Sequence, residues 1–403
     1  MAKIKACVAG LGNRGYGLLC DVFLKNTDIE IISVCDVYED RVARAVKKIA
    51  QFGSEPKGFT DYKEALSVKG LDAVFICSDW STHTEIAVYA MKQGVAVASE
   101  VGCEYTLDNC MKLIKTQEAT GTPYMFVENC CWGKEELLAT SMARKNLFGT
   151  VVHCAGAYAH DLRNEIAYGH VTRHYRFDNY LHRCCENYPT HELGPIAKLL
   201  DINRGNRIMT VASFASKSAG LEEYIKTRSD ATDEMKAARF AQADVVTTVL
   251  TCANGETIQL RLDTTLPRYY SREFTVRGTK GLYMQDINAV FLDGDEETYC
   301  SAEKALNSAV RYENDYLPDI WKKVTPEELS AGHGGMDWFA YKSFTDSLLT
   351  HTEPVIDVYD AAGWQAVSVL SEQSIRLGGM PQTMPDFTDG KWITRPRKDV
   401  CDL

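Results

Sequence analysis

No apolar run in this chain approaches the roughly 18 residues that cross a bilayer, and "MAKIKACVAG" leads straight into a strand rather than a signal-peptide core. The expectation is a cytoplasmic protein without membrane contact. No block of Lys or Arg accompanies the formal charge of −11, which argues against a nucleic-acid or anionic-membrane surface. The sequence also lacks internal repeats, low-complexity linkers and any C-x-x-C pair. Its 14 cysteines are spread over 403 residues, many inside apolar strands such as "ACVAG", "ISVCD" and "VFICS". That spread describes reduced, buried thiols, not the framework of a small secreted domain. His170, His174, His182, Cys184 and Cys185 crowd into "GHVTRHYRFDNYLHRCCEN", where His170 and His174 would share a helix face. They lack the tight spacing of zinc signatures, and no metal is assigned.

A chain of this length exceeds one ordinary core, so two domains are expected. Early on, "IKACVAG", "IEIISVCD", "LDAVFICSD", "VAVASEV" and "PYMFVEN" alternate with helical patterns, the rhythm of a doubly wound parallel sheet. Later, "RIMTVASFAS", "ADVVTTVLTC", "ETIQLRLDTT", "REFTVRG" and "GLYMQDINAVFL" follow closely, with Asn254-Gly255 as a hairpin signal. The expected class is α/β: an N-terminal Rossmann domain over residues 1–125, then an α+β domain over 126–403 built on a largely antiparallel sheet. A broad sheet with one open face needs cover, so a homo-oligomer through that sheet is expected. Residues 357–377 have helical spacing and stop before Gly378-Gly379.

Strand one runs into "GLGNRG". Gly10, Gly12 and Gly15, with Asn13 and Arg14 between them, form G-x-G-x-x-G: a tight turn, a close backbone approach to pyrophosphate, and close helix–strand packing. Asp36 ends strand two, one helix and one strand beyond Gly15, where a carboxylate accepts from ribose hydroxyls and repels a 2′-phosphate. The expected cofactor is NAD.

These residues, with "CSDWSTHTEIAVYAMKQGVAVASEV" at 77–101, resemble the Gfo/Idh/MocA oxidoreductases, which pair such a domain with an antiparallel sheet domain. The resemblance implies that Ser78, Trp80 and His83 lie along the cofactor and that Glu100 stands near the nicotinamide ribose. Two departures stand out. Val101 occupies the position where family dehydrogenases carry lysine, and Asn187 stands four residues before His191 where they carry aspartate. In their place "YPTHELGPI" resembles the Tyr-Pro-Thr-His motif of glycoside hydrolase family 109, NAD-dependent glycosidases best known for α-N-acetylgalactosaminidase activity. "VENCCW", "YAHDLRNE", "PRYYSR" and "GHGGMDWF" agree in order, while the stretch between His160 and Tyr188 is short against that pattern.

The resemblance implies a small-molecule glycoside as substrate and a redox-neutral hydrolysis. Hydride leaves sugar C3, the ketone acidifies C2–H, the C1 oxygen is eliminated, water adds, and hydride returns. It implies His191 for proton transfer at the C3 hydroxyl, with Tyr188 and Tyr270 sharing C2 deprotonation and leaving-group protonation in an order left open. Glu128, His160 and Asp337 are implied as ligands of sugar hydroxyls or the nicotinamide ribose. Tyr188 and His191 neighbour each other if a helix starts there, with Gly194-Pro195 fixing a turn behind. Glu192 reads as a solvated or capping carboxylate. Two other readings are a net NAD-dependent sugar or cyclitol dehydrogenase and a non-catalytic NAD-binding regulator. A regulator has no need of the Tyr, His and Glu constellation.

Overall fold

The computed structural model describes residues 3–295 and 301–403. The chain divides into two compact units, Met1–Trp132 with Lys323–Ala362, and Gly133–Lys322 with Gly363–Leu403. A single cut at 125/126 does not describe this division, because a late segment returns to the first unit. Its anchor is the helix Met336–Thr350. Tyr341 and Phe344 on that helix are fully buried, and the Tyr341 ring meets Phe23 at 4.8 Å and Phe75 at 5.5 Å. Such aromatic pairs add about 0.5–1.5 kcal/mol each beyond their buried area.

The first unit holds a six-stranded sheet in the order β3-β2-β1-β4-β5-β6, every pair parallel. The strands are β1 (Ile4–Ala9), β2 (Ile29–Cys35), β3 (Lys57–Phe59), β4 (Ala73–Ile76), β5 (Ala96–Glu100) and β6 (Tyr124–Val127). Every residue of β4, β5 and β6 is buried, as expected for parallel strands covered on both faces. The helices Glu39–Ala50, Tyr62–Leu66, His83–Lys92 and Leu107–Thr120 supply crossovers. Thr106 caps the last of these by accepting from the Asn109 N–H. The strand order reverses between β1 and β4, so the crevice for a ligand opens at their carboxyl ends.

The second unit holds an eight-stranded sheet in the order β13-β12-β11-β7-β10-β9-β8-β14. Its strands are β7 (Val151–Ala159), β8 (Ile208–Ala215), β9 (Val245–Cys252), β10 (Thr257–Asp263), β11 (Thr275–Gly278), β12 (Gly281–Met284), β13 (Ala289–Leu292) and β14 (Gln382–Thr383). Neighbours are antiparallel except β7 and β10, which run parallel. Alternation sorts the faces: Val246, Thr248 and Leu250 point inward, while Val249 and Phe214 are exposed on the other side. The Asn254-Gly255 pair closes the β9–β10 hairpin as expected. The single run "GLYMQDINAVFL" is instead two strands, split by a turn in which Asn288 takes φ +45°.

The 357–377 pattern forms the helix Val358–Arg376. Among the described residues no helix is long and apolar enough to cross a membrane. Cys7, Cys35 and Cys252 are free thiols whose burial pushes each up to about 12, so they are inert at neutral pH.

Candidate functional site

In the first unit the glycine turn is built by backbone contact. Gly10 adopts φ +98°, and a Cβ there would stand 2.4 Å from the Ser78 nitrogen; one on Gly15 would stand 2.0 Å from the Gly10 oxygen. Gly12 differs: a Cβ would meet only the Arg41 guanidinium, at 3.5 Å and beyond. The turn is therefore closed on two sides and open at its middle glycine, the arrangement that lets a pyrophosphate approach the backbone. Asp36, buried at the end of β2, accepts from the Leu11 N–H at 2.7 Å and the Tyr38 N–H at 3.0 Å, with the Arg41 guanidinium 3.5 Å away. A carboxylate so braced beside the turn fits a ribose diol.

Ser78 bonds Thr82 through the two hydroxyls at 2.7 Å, and its carbonyl lies 3.0 Å from His83 Nε2. Trp80 and His83 are both buried. Burial holds the His83 imidazole below its ordinary value, and its Nδ1 is buried without a hydrogen-bond partner. A neutral ring with an unmatched nitrogen on the turn after β4 is a ready contact for a bound cofactor.

Arg14 is gripped by two carboxylates. It donates to Glu100 at 3.1 and 3.2 Å and to Asp337 at 2.7 and 2.8 Å. Asn129 donates to Asp337 at 2.7 Å, His333 Nδ1 lies 2.8 Å from its other oxygen, and the Tyr341 hydroxyl donates to Glu100 at 2.8 Å. Burial pushes the Asp337 carboxyl up, but Arg14 and His333 outweigh it and hold it well below the usual range. Gly332 lets this corner close, since a Cβ there would sit 2.4 Å from Asp337 Oδ2. Asp337, expected as a ligand, thus has both oxygens engaged by its own unit. Glu128, fully buried after β6, accepts from the Cys130 N–H at 3.0 Å.

In the second unit the helix Thr190–Leu199 starts right after Pro189 and is buried throughout. Tyr188 and His191 meet there as expected, ring centroids 4.7 Å apart at 75°. Gly194-Pro195 does not form a turn; both lie inside the helix. Pro195 has no N–H, so the carbonyl of His191 loses its i+4 helix bond just where the imidazole is presented. Glu192 is not solvated: it is about 1 % exposed, pressed on β7 so tightly that a Cβ on Gly156 would stand 2.7 Å from its own Cβ.

Gly156, Tyr158 and His160 alternate onto this same face of β7 and its continuation. The Tyr158 ring lies 4.4 Å from Tyr188, 5.4 Å from His191 and 5.9 Å from His160, and His160 reaches Tyr270 at 5.1 Å. Four of the expected residues, Tyr188, His191, His160 and Tyr270, therefore form one continuous aromatic array through Tyr158. Sequence reasoning passed over Tyr158, although its two-residue spacing from His160 on a strand was a signal. It also passed over Arg176, whose guanidinium lies 5.2 Å from the Tyr188 ring, and Arg272, which donates to the Tyr270 hydroxyl at 3.3 Å. Burial, then Arg176, hold the His160 imidazole below its ordinary value. An array of phenols and imidazoles, one ring kept neutral, can pass protons to and from an alcohol and a C–H bond.

Val101 and Asn187, which replace the dehydrogenase lysine and aspartate, are buried, and Asn187 donates to Gln242 at 3.2 Å. The histidines that crowd near Cys184 and Cys185 in the sequence part company in the fold. The short helix Gly169–Thr172 ends at Arg173 in the left-handed region, so His170 turns to Thr232 at 2.9 Å and His174 to Glu165 at 3.5 Å.

Fold and site define a class, an NAD-binding Rossmann domain joined in sequence to a mixed-sheet domain rich in proton-transfer groups. Residues 4–127 match the oxidoreductase family with NAD-binding Rossmann fold, and residues 132–394 match the glycosyl hydrolase 109 C-terminal domain. A glycosyl hydrolase family 109 protein of Stenotrophomonas maltophilia is 37% identical, across 98% of this chain and 91% of that one. An α-N-acetylgalactosaminidase of Tannerella forsythia is 34% identical, across 95% and 87%. The scyllo-inositol dehydrogenase of Lactobacillus casei, solved with NAD(H) and scyllo-inositol, has the same fold, with a TM-score of 0.67 at 12% identity across 95% and 99%. The chain belongs to glycosyl hydrolase family 109, and it is an NAD-dependent glycosidase.

Proposed function

We propose that this enzyme hydrolyses an N-acetylgalactosaminide in a redox-neutral cycle. The observation that carries the reading is the array Tyr188, His191, Tyr158, His160 and Tyr270 on one face of the second unit. A sheet domain that only supported a nucleotide site would have no use for it. The relative from Tannerella forsythia, named for that activity, supports the choice of sugar.

The Gly10–Gly15 turn and Asp36 hold the cofactor's pyrophosphate and ribose, with Ser78, Trp80, His83 and Glu100 along its length. When bound, NAD supplies reversible hydride acceptance at sugar C3, so no net oxidation results. His191 takes the proton of the C3 hydroxyl. With C3 at the ketone level, one tyrosine takes the proton from C2. The C–H pair becomes a C1–C2 double bond, and the C1–O pair leaves with the aglycone oxygen, which the other tyrosine protonates. Water then adds across the double bond, and the C3 alcohol is restored with its proton from His191. Glu128 and His160 bind hydroxyls, and Asp337 acts by fixing Arg14.

Turnover in heavy water tests this. The released sugar should carry deuterium at C2 while absorbance at 340 nm stays flat. Protium kept at C2 refutes the elimination route, and steady NADH growth makes the enzyme a net dehydrogenase.

The outer face of the second unit's sheet, where Phe214 and Val249 are both exposed, supports self-association through that sheet. Sedimentation at micromolar concentration would show a dimer or larger. The buried free thiols support a reducing compartment such as the cytoplasm; thiol titration of the freshly isolated native-source protein would show them reduced.

A further inference from the structure

Two residues beyond Tyr270 the chain places a buried cation that the cycle above does not use. Arg272 is about 7 % exposed, whereas Tyr270 is 44 % exposed. The segment between them is fastened to β7: Ser271 and Ala159 exchange backbone bonds at 2.9 and 3.2 Å, and the Ala157 N–H donates to the Arg272 carbonyl at 2.6 Å. Residues two apart on such an extended segment face the same side. Arg272 Nη1 accordingly donates to the Tyr270 hydroxyl oxygen at 3.3 Å, with the guanidinium carbon 5.9 Å from the ring centroid.

The opposite edge of Arg272 is held from below. Its Nε donates to Glu136 Oε1 at 2.6 Å, Gln285 Nε2 donates to the same oxygen at 3.0 Å, and Glu135 lies 4.0 Å from Nη2. Glu136 is essentially inaccessible, and its Oε2 is buried without a hydrogen-bond partner. A pair kept for stability alone would be expected to satisfy that oxygen, because buried ion pairs recover their desolvation cost only with every lone pair engaged. This pair fixes one guanidinium edge, from which Nη1 reaches the phenol.

We propose that Arg272 is the positioning residue that makes Tyr270 the base for the C2 proton, an inference that rests on the redox-neutral reading. Arginine stays charged at every working pH and cannot take the proton itself. Its bond favours the phenolate over the phenol and aims the oxygen. The phenolate accepts the proton from C2, the C–H pair becomes the C1–C2 double bond, and the C1–O pair departs with the aglycone oxygen. Protonation of that oxygen then falls to Tyr188, which settles the order of the two tyrosines.

The test uses NAD-loaded enzyme and three readouts: the ultraviolet difference titration of phenolate, the pH profile of turnover, and C2 hydrogen washout into heavy water. Subtracting Tyr270→Phe from wild type isolates the ionisation of Tyr270. In Arg272→Met that ionisation and the acid limb of turnover should both rise by about one pH unit or more, and C2 washout at pH 7 should slow about tenfold or more. Arg272→Lys should recover part of each. If turnover falls while ionisation and acid limb stay in place, Arg272 is structural and the proposal is overturned. If Tyr270→Phe exchanges C2 hydrogen as fast as wild type, Tyr270 is not the base and the proposal falls. Absence of exchange in wild type itself refutes the underlying cycle instead. Should Arg272→Met not fold, Arg272→Lys and Gln285→Leu carry the same titration, and an unmoved ionisation in both overturns the proposal.

Discussion

Replacing Asp337 by Asn changes one atom's chemistry at almost constant volume, and its cost can be worked from four donors. Oδ1 receives Arg14 Nη2 at 2.8 Å and Asn129 Nδ2 at 2.7 Å; Oδ2 receives Arg14 Nη1 at 2.7 Å and lies 2.8 Å from His333 Nδ1. An amide has one oxygen, so whichever way the new side chain turns, an N–H faces an N–H of Arg14. One of the two carboxylate partners of Arg14 is lost together with at least one charge-assisted bond; Asp337 is about 1 % exposed, while the Arg14 side chain is 33 % exposed and keeps Glu100. Breaking a fully buried pair from one side costs about 3–5 kcal/mol; with Arg14 partly solvated and still paired to Glu100 the cost falls to about 2–3 kcal/mol, which lowers the first unit's calorimetric transition by roughly 5–10 °C. The pH dependence has a definite sign. Because Asp337 is held below the usual carboxylate range, its contribution is present above about pH 4 and is lost as the pH falls from there. The gap between wild type and variant should therefore be full at pH 7 and narrower at pH 3. A variant within about 1 kcal/mol of wild type, or a gap unchanged between those two pH values, refutes the account of this corner. A direct sugar ligand would instead raise KM and leave the transition in place.

His191→Ala should lower turnover by roughly 10²–10⁴-fold while NAD stays bound, checked by hydrolysis rate and by cofactor content after desalting. Asp36→Ala should weaken NAD binding and raise the relative affinity for NADP, measured by titration of both cofactors; an unchanged ratio would mean that Asp36 does not contact the ribose.

Five strands of the parallel sheet were readable because each is an apolar run closed by a turn signal, and "GLGNRG" with Asp36 carries its own geometry; the sixth, β3, is the short exposed edge strand "KGF", which has no apolar run to read. The neighbouring Tyr188 and His191 were readable for the same reason, being three residues apart at a helix start. Contacts distant in sequence were not. Nothing local marks Arg14 as the partner of a carboxylate near the other end of the chain, and so the pairing of Asp337 with Arg14 was not legible. Glu192 looked solvated because glutamate usually is; only Gly156 on β7 makes room to bury it. Strand β7 was missed because "VVHCAGAYA" mixes glycine, alanine and a histidine into a β pattern. It is central to the second sheet through pairing with β10 and β11, which no window of that strand contains.

The return of residues 323–362 to the first unit sets a timetable for synthesis. Between Trp132 and Lys323 the ribosome must make most of the other unit, which at ordinary translation speeds takes on the order of tens of seconds. Throughout that interval Phe23 and Phe75 lack the Tyr341 ring that will cover them, and Arg14 and Glu100 lack Asp337 and Tyr341. The nascent Rossmann sheet is thus an incomplete, sticky body until its last helix arrives. A chain stalled or cut anywhere before Thr350 strands both halves, and expression yield should respond to chaperone supply and translation speed more than the finished enzyme's stability suggests.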